Sequence, residues 1–138
     1  MTQDDAQQLR FAIQKIARRI RANAASEEVT EGQRSVLFAL NGAGPLSLRE
    51  LSEHEGVTPP SMNRTVNALV EAGLVTRTTS QDDARMVKLD LSNEGRTFVD
   101  ETRRQRDAWF TRQLAALNEE QRRILELAAP VLKELAEQ

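Results

Sequence analysis

The stretch LSLRELSEHEGVTPPSMNRTVNALVEAGLVTRTTSQDDARMVKLDLS, residues 46–92, decides the fold. Leu48 and Leu51 share a face at three-residue spacing, and Ser47 followed by Glu50 makes the S-x-x-E pattern of a capping box, so a short helix starts here. Gly56, Val57 and Thr58 form a turn in which glycine supplies a left-handed backbone and Thr58 caps a second helix. Pro59 and Pro60 occupy its first turn, where a missing N–H costs nothing. Met62, Val66, Leu69 and Val70 form its inward stripe, and Gly73 ends it. The opposite face carries Pro60, Ser61, Asn63, Arg64, Asn67 and Ala68: slim, polar, and suited to a major groove, where such side chains reach base edges and phosphates.

Two β-branched runs follow. Residues 74–79 and 86–91 each fit a strand, with Val87, Leu89 and Leu91 alternating inward, and the polar residues 80–85 form the tip of a hairpin. A helix-turn-helix followed at once by such a hairpin is a winged helix.

The chain resembles the MarR family of winged helix-turn-helix transcription regulators. The matching residues are L-x-x-L-x-x-x-x-x-V at Leu48, Leu51 and Val57, then V-x-x-L-x-x-x-G-L-V-x-R from Val66 to Arg77. The D-x-R pattern follows at Asp83 and Arg85, and V-x-L-x-L-x-x-x-G at Val87, Leu89, Leu91 and Gly95. The resemblance covers nearly the whole chain. It implies that the second helix is a recognition helix and that Arg85, held by Asp83, enters the adjacent minor groove, where narrow A·T-rich DNA favours a guanidinium. Family wings often carry a further basic residue before this arginine; here it is Ala84.

On this reading Pro60, Ser61, Asn63 and Arg64, with Thr65 and Asn67 beside them, contact base edges. Ser47, at a helix N-terminus, and Arg77 contact phosphates. The expected partner is double-stranded DNA bearing a pseudopalindromic operator, and the resemblance implies a repressor released by a small aromatic or phenolic ligand. Ligand-binding residues are not legible: Phe11, Phe38 and Trp109 with Arg18 or Arg19 suit a pocket, a core or a surface equally.

Charge pulls the other way. The net charge is −2, and residues 46–91 hold five Lys/Arg (Arg49, Arg64, Arg77, Arg85, Lys88) against seven acids (Glu50, Glu53, Glu55, Glu71, Asp82, Asp83, Asp90). A basic domain is the usual nucleic-acid footprint. DNA affinity must therefore come from the placement of charge, with acids turned away from phosphates, and must be sensitive to salt. The competing expectation is a winged-helix protein-interaction module that does not bind DNA.

The flanks are helical. Leu9, Ile13, Ile16 and Ile20 place a first helix at residues 6–24, with Lys15, Arg18, Arg19 and Arg21 on its solvated side. Thr30-x-x-Gln33 opens a second helix through Val36, Leu37 and Leu40, ended by Asn41-Gly42-Ala43-Gly44-Pro45, after which Leu46 makes a short edge strand. Ser92 caps a long helix running to about Leu117. Asn118-x-x-Gln121 opens a last one, apolar at Ile124, Leu125, Leu127, Ala128, Val131, Leu132 and Leu135, and bent or restarted at Pro130. The fold class is thus mainly α, a winged helix-turn-helix (three helices plus a β-hairpin wing) flanked by dimerisation helices. Residues 1–138 make one MarR-like domain, with the winged helix at 30–92 and dimerisation helices at 1–25 and 93–138. The terminal helices carry more apolar face than one winged helix can cover, which points to a homodimer.

No cysteine is present, and His54 is the single histidine. Neither a metal or cofactor site nor a catalytic constellation is legible, so an enzyme is not expected. With no apolar run approaching the roughly 20 residues of a bilayer span, and polar, acidic first residues, no membrane association is expected and a cytoplasmic location is.

Overall fold

The structure, a computed structural model, describes residues 1–23, 28–79 and 86–138. Its elements are α1 (Gln3–Ala22), α2 (Glu31–Ala43), α3 (Leu48–Glu55), α4 (Pro59–Glu71), β1 (Val75–Thr79), β2 (Val87–Leu91), α5 (Asn93–Ala115) and α6 (Glu119–Ala136). They fall into two compact units, residues 24–104 and residues 1–23 with 105–138, so that α5 contributes to both.

In the first unit the expected capping boxes form. Thr30 and Gln33 open α2, and Ser47 and Glu50 open α3, each pair exchanging side-chain and backbone hydrogen bonds. Gly56 turns the chain at φ +67° and Gly73 ends α4 at φ +79°, both in the region that disfavours a Cβ. Thr58 Oγ1 accepts from the Ser61 N–H, with Pro59 and Pro60 beginning α4. The core gathers Val36, Leu37 and Leu40 of α2, Leu51 of α3, Met62, Val66 and Leu69 of α4, Val75, Leu89 and Leu91 of the hairpin, and Val99 of α5. Each helix thus contributes its periodic stripe to one apolar centre, which fixes the rotation of α4 about its own axis.

β1 and β2 pair antiparallel, Val75 with Leu91 and Thr79 with Val87. Leu46 adds a third rung on the far side of β2 as an isolated bridge: its N–H donates to the Leu89 carbonyl at 3.0 Å and its carbonyl accepts from Leu89 at 2.7 Å. The expected inward alternation holds at Leu89 and Leu91 and fails at Val87, which is 44% exposed. Its cross-strand partner Thr79 is exposed too, so by this rung the hairpin has run past the edge of the core. Ser92 caps α5 as expected, its Oγ accepting from the Gly95 N–H at 3.0 Å and donating to the Gly73 carbonyl at 2.6 Å.

In the second unit α1 begins at Gln3 rather than at residue 6. Thr2 and Asp5 form a capping box that the apolar stripe, starting at Leu9, does not announce. Asn118 and Gln121 cap α6, which continues through Pro130 as one helix. Neither α1 nor α6 has a buried residue, whereas Trp109 of α5 is buried beneath the Arg19 guanidinium, 5.2 Å from its ring. No helix among the described residues is long and apolar enough to cross a membrane.

Candidate nucleic-acid interface

Because Met62, Val66 and Leu69 are locked in the core, the remaining faces of α4 must point outward. Pro60, Asn63, Arg64 and Asn67 are exposed, while Ser61 and Thr65 are half-buried at the edge of the face. Thr65 Oγ1 donates to the Ser61 carbonyl at 3.3 Å, which keeps its hydroxyl close to the helix. From Thr58 to Val70 the chain contains no acid. No ion pair to Arg64 occurs among the described residues, so its guanidinium stands on a slim polar face with all its donors available.

The acids of this unit are largely engaged elsewhere. Glu53 pairs with Arg49 at 3.2 Å, Glu55 lies 3.1 Å from His54 Nδ1, and Asp90 faces Arg96 at 3.6 Å. Glu50 is bound most tightly: its Oε1 accepts from Lys88 Nζ at 2.8 Å and from the Ser47 N–H at 3.1 Å. The Lys88 hydrogen bond, followed by those from Ser47, holds the Glu50 carboxyl down to about 2, well under its ordinary 4.5. This pairing resolves part of the charge problem, since an unfavourable total is compatible with an outward face of α4 that carries no acid before Glu71 in its last turn.

Three predicted contact regions meet in this unit. Ser47 sits at the N-terminus of α3, its Oγ accepting from the Glu50 N–H at 3.1 Å, which leaves the hydroxyl proton free to donate. Arg77 projects from β1 on the same side of the strand as Val75, and its Nη2 donates to Asn67 Oδ1 on α4. Asn67 and Arg77, assigned from sequence to a base edge and a phosphate, are thus brought together as one hydrogen-bonded pair. Asp83 and Arg85, with Ala84 between them, lie outside the described residues. Lys88 was missed: its alternation opposite Leu89 marks it as outward-facing, but a partner 38 residues away leaves no local trace.

The aromatic residues separate by unit. Phe38 is half-buried against the winged-helix core, with the Arg103 guanidinium 5.9 Å from its ring; Phe11 is exposed beside Arg10. His54 is exposed as expected, and no cluster of three or more His, Cys, Asp or Glu residues able to hold a metal occurs among the described residues.

The sequence model of the MarR family matches residues 28–86, the span from the approach to α2 to the residue before β2. An HTH-type transcriptional regulator of Mycobacterium tuberculosis, MT0903.1, is 33% identical over 96% of this chain and 93% of its own. The chain belongs to the MarR family. A further relative, the HTH-type transcriptional repressor MdtR of Bacillus subtilis, is 30% identical over 82% of this chain and 73% of its own. Among solved structures, a candidate transcriptional regulator from Pseudomonas aeruginosa superposes with a TM-score of 0.85 at 29% identity, covering 100% of this chain and 99% of that one. As a MarR protein the chain is a transcriptional regulator.

Proposed function

We propose that this MarR protein is a homodimeric, sequence-specific DNA-binding repressor that a small aromatic or phenolic ligand releases from its operator. The observation that carries the reading is the outward face of α4 on a helix whose rotation the core fixes. That face is polar, free of acids from Thr58 to Val70 before Glu71 closes the helix, and bears an Arg64 with no ion pair among the described residues. Pro60, Ser61, Asn63 and Arg64 read base edges, with Thr65 at their margin. Ser47 and Arg77 bind phosphates, and Arg85, placed by Asp83, reads the minor groove. Residues 30–92 form the DNA-binding part of a single domain, with residues 1–25 and 93–138 serving dimerisation.

The dimer rests on uncovered apolar surface. Leu127 is 72% exposed, Val131 64% and Leu135 55%, all on α6, and Leu9, Phe11 and Ile13 are exposed on α1. A second copy burying these faces satisfies both chains at once through a two-fold interface. Two-fold symmetry then calls for a pseudopalindromic operator with half-sites about one helical turn apart. Repression agrees with the name of the MdtR relative. A ligand acts by preferring the spacing of the two recognition helices that does not fit DNA, and its leverage equals that difference in affinity.

The test is fluorescence anisotropy on DNA from directly upstream of the coding region, against scrambled DNA, at several salt concentrations. Wild type should prefer the upstream DNA, and Arg64→Ala should lose about 5- to 150-fold of that preference, the worth of one bidentate base contact. Absence of any preference, on this DNA and on a random-sequence pool, would assign the protein to the interaction-module class.

A further inference from the structure

Lys88 is, besides Arg77, the basic residue of the described hairpin, and a simple electrostatic reading would assign it to a phosphate as well. Its surroundings point elsewhere. Nζ is 2.8 Å from Glu50 Oε1, and the lysine side chain is only 28% exposed. The same Oε1 accepts from the Ser47 N–H, so the lysine is tied to the first turn of α3 through a carboxylate that the capping box already orients.

The position of this contact along the hairpin matters. The backbone rungs to Leu46 end at Leu89, one residue nearer the core. Lys88 is therefore, among the described residues, the outermost point at which β2 is joined to the helices. On β1 the matching link is Arg77 to Asn67 of α4, and Arg77 stands opposite Leu89 in the register. Each wing strand is thus joined at about the same height to a different helix of the helix-turn-helix. Further out, Val87 and Thr79 are exposed and add no core contact to hold the hairpin.

We infer that Lys88 and Glu50 are positioning residues, a tether that sets the wing's placement relative to the recognition helix, and that Lys88 is not a phosphate ligand. This rests on the DNA-binding reading above, because the tether matters to binding only if α4 and the wing must engage adjacent grooves together. The two roles for Lys88 differ in sign. If Lys88 bound phosphate, Glu50 would compete with DNA for it, and removing the carboxylate charge would tighten binding. If Lys88 positions the wing, removing that charge loosens the hairpin and weakens binding.

Glu50→Gln is the informative variant, since glutamine at this position keeps the capping box while losing the ion pair. Lys88→Gln removes the other partner, and Lys88→Arg keeps the charge. Operator affinity should fall about two- to five-fold in Glu50→Gln and in Lys88→Gln, the range an exposed ion pair can supply. The double variant should be no weaker than either single one, Lys88→Arg should restore binding, and the salt dependence should keep its wild-type slope. Amide hydrogen exchange without DNA should quicken at residues 76–79 and 87–88 in both glutamine variants and stay unchanged in α4. Tighter binding by Glu50→Gln, or a salt slope about 0.9 shallower in Lys88→Gln, would make Lys88 a phosphate ligand and overturn the inference. Unchanged exchange at the wing would overturn it without any DNA. Wild type showing no operator preference while exchange responds as expected would instead leave the tether in place and remove the DNA-binding reading.

Discussion

Replacing Gly95 by alanine would set a methyl group against the backbone where α5 leaves the wing. A Cβ at this position would lie 2.1 Å from the Leu74 carbonyl oxygen, 3.2 Å from the Leu74 carbonyl carbon and 3.2 Å from Leu91 Cδ2. Carbon and oxygen settle at about 3.3–3.6 Å, so the first turn of α5 must retreat by roughly 1 Å. The obstacle is main chain and cannot swing aside. The retreat also disturbs the hydrogen bond from the Ser92 N–H to that same carbonyl, 3.0 Å long. Overpacking of this kind costs about 1–3 kcal/mol, and the strained hydrogen bond adds about 1 kcal/mol. Alanine's higher helix propensity returns at most about 1 kcal/mol, leaving a net loss of about 1–3 kcal/mol. Gly32 of α2 is the internal control, because nothing lies within 4 Å of a Cβ built there. Gly32→Ala should stabilise by about 0.5–1 kcal/mol through the same propensity term. Urea unfolding at one protein concentration, held fixed because association shifts apparent stability, should show the two variants moving in opposite directions. With a slope of about 1–3 kcal/mol per molar urea, their midpoints should separate by on the order of 1 M. Gly95→Ala unfolding at or above the wild-type midpoint would refute the close approach of α5 to the wing.

Leu132→Asp, on the exposed α6 face, should yield monomers in sedimentation velocity, because the proposed dimer would lose two leucine contacts of about 1.5–3 kcal/mol and bury two carboxylates. An unchanged mass would remove α6 from the interface. Arg85→Ala should weaken operator binding and flatten its salt dependence by about one phosphate equivalent, read by anisotropy. The Glu50 carboxyl, lowered in the folded chain to about 2 by Lys88 and Ser47, contributes stability that is complete above its ordinary 4.5 and lost as pH falls toward 2. Wild type should therefore exceed Glu50→Gln in stability at neutral pH and converge on it as pH drops through that window; a gap independent of pH would exclude the ion pair as its source.

Features legible in the sequence are those decided within one turn of chain. Ser47 with Glu50, Thr30 with Gln33 and Asn118 with Gln121 lie three residues apart, so capping geometry follows from identity and spacing alone. Gly56 and the Thr58-Pro59-Pro60 run specify a backbone conformation locally, and the stripe of Met62, Val66 and Leu69 specifies which side of α4 turns inward. The outward side, with Ser61, Asn63 and Arg64, followed by exclusion. The family pattern extended this reading to the strands of the wing, while Asp83 and Arg85 lie outside the described residues.

The early start of α1 at Thr2 was local as well, but was hidden because its capping pair precedes the apolar stripe by a full turn. The other differences are of another kind. Alternation in β2 states that Val87, Leu89 and Leu91 share a face, and it is silent on where the core under that face stops. Pairing Lys88 with Glu50 across 38 residues, Arg77 with Asn67 across 10, and a Cβ-free Gly95 with the Leu74 carbonyl needs the distance between elements. The sequence by itself determined the elements, their caps and the inward faces, because short-range sterics and periodic burial act within each segment. Only the tertiary structure decided which charged groups are already paired and which, like Arg64, have no ion pair among the described residues, because a side chain's partner is set by the packing of separate elements.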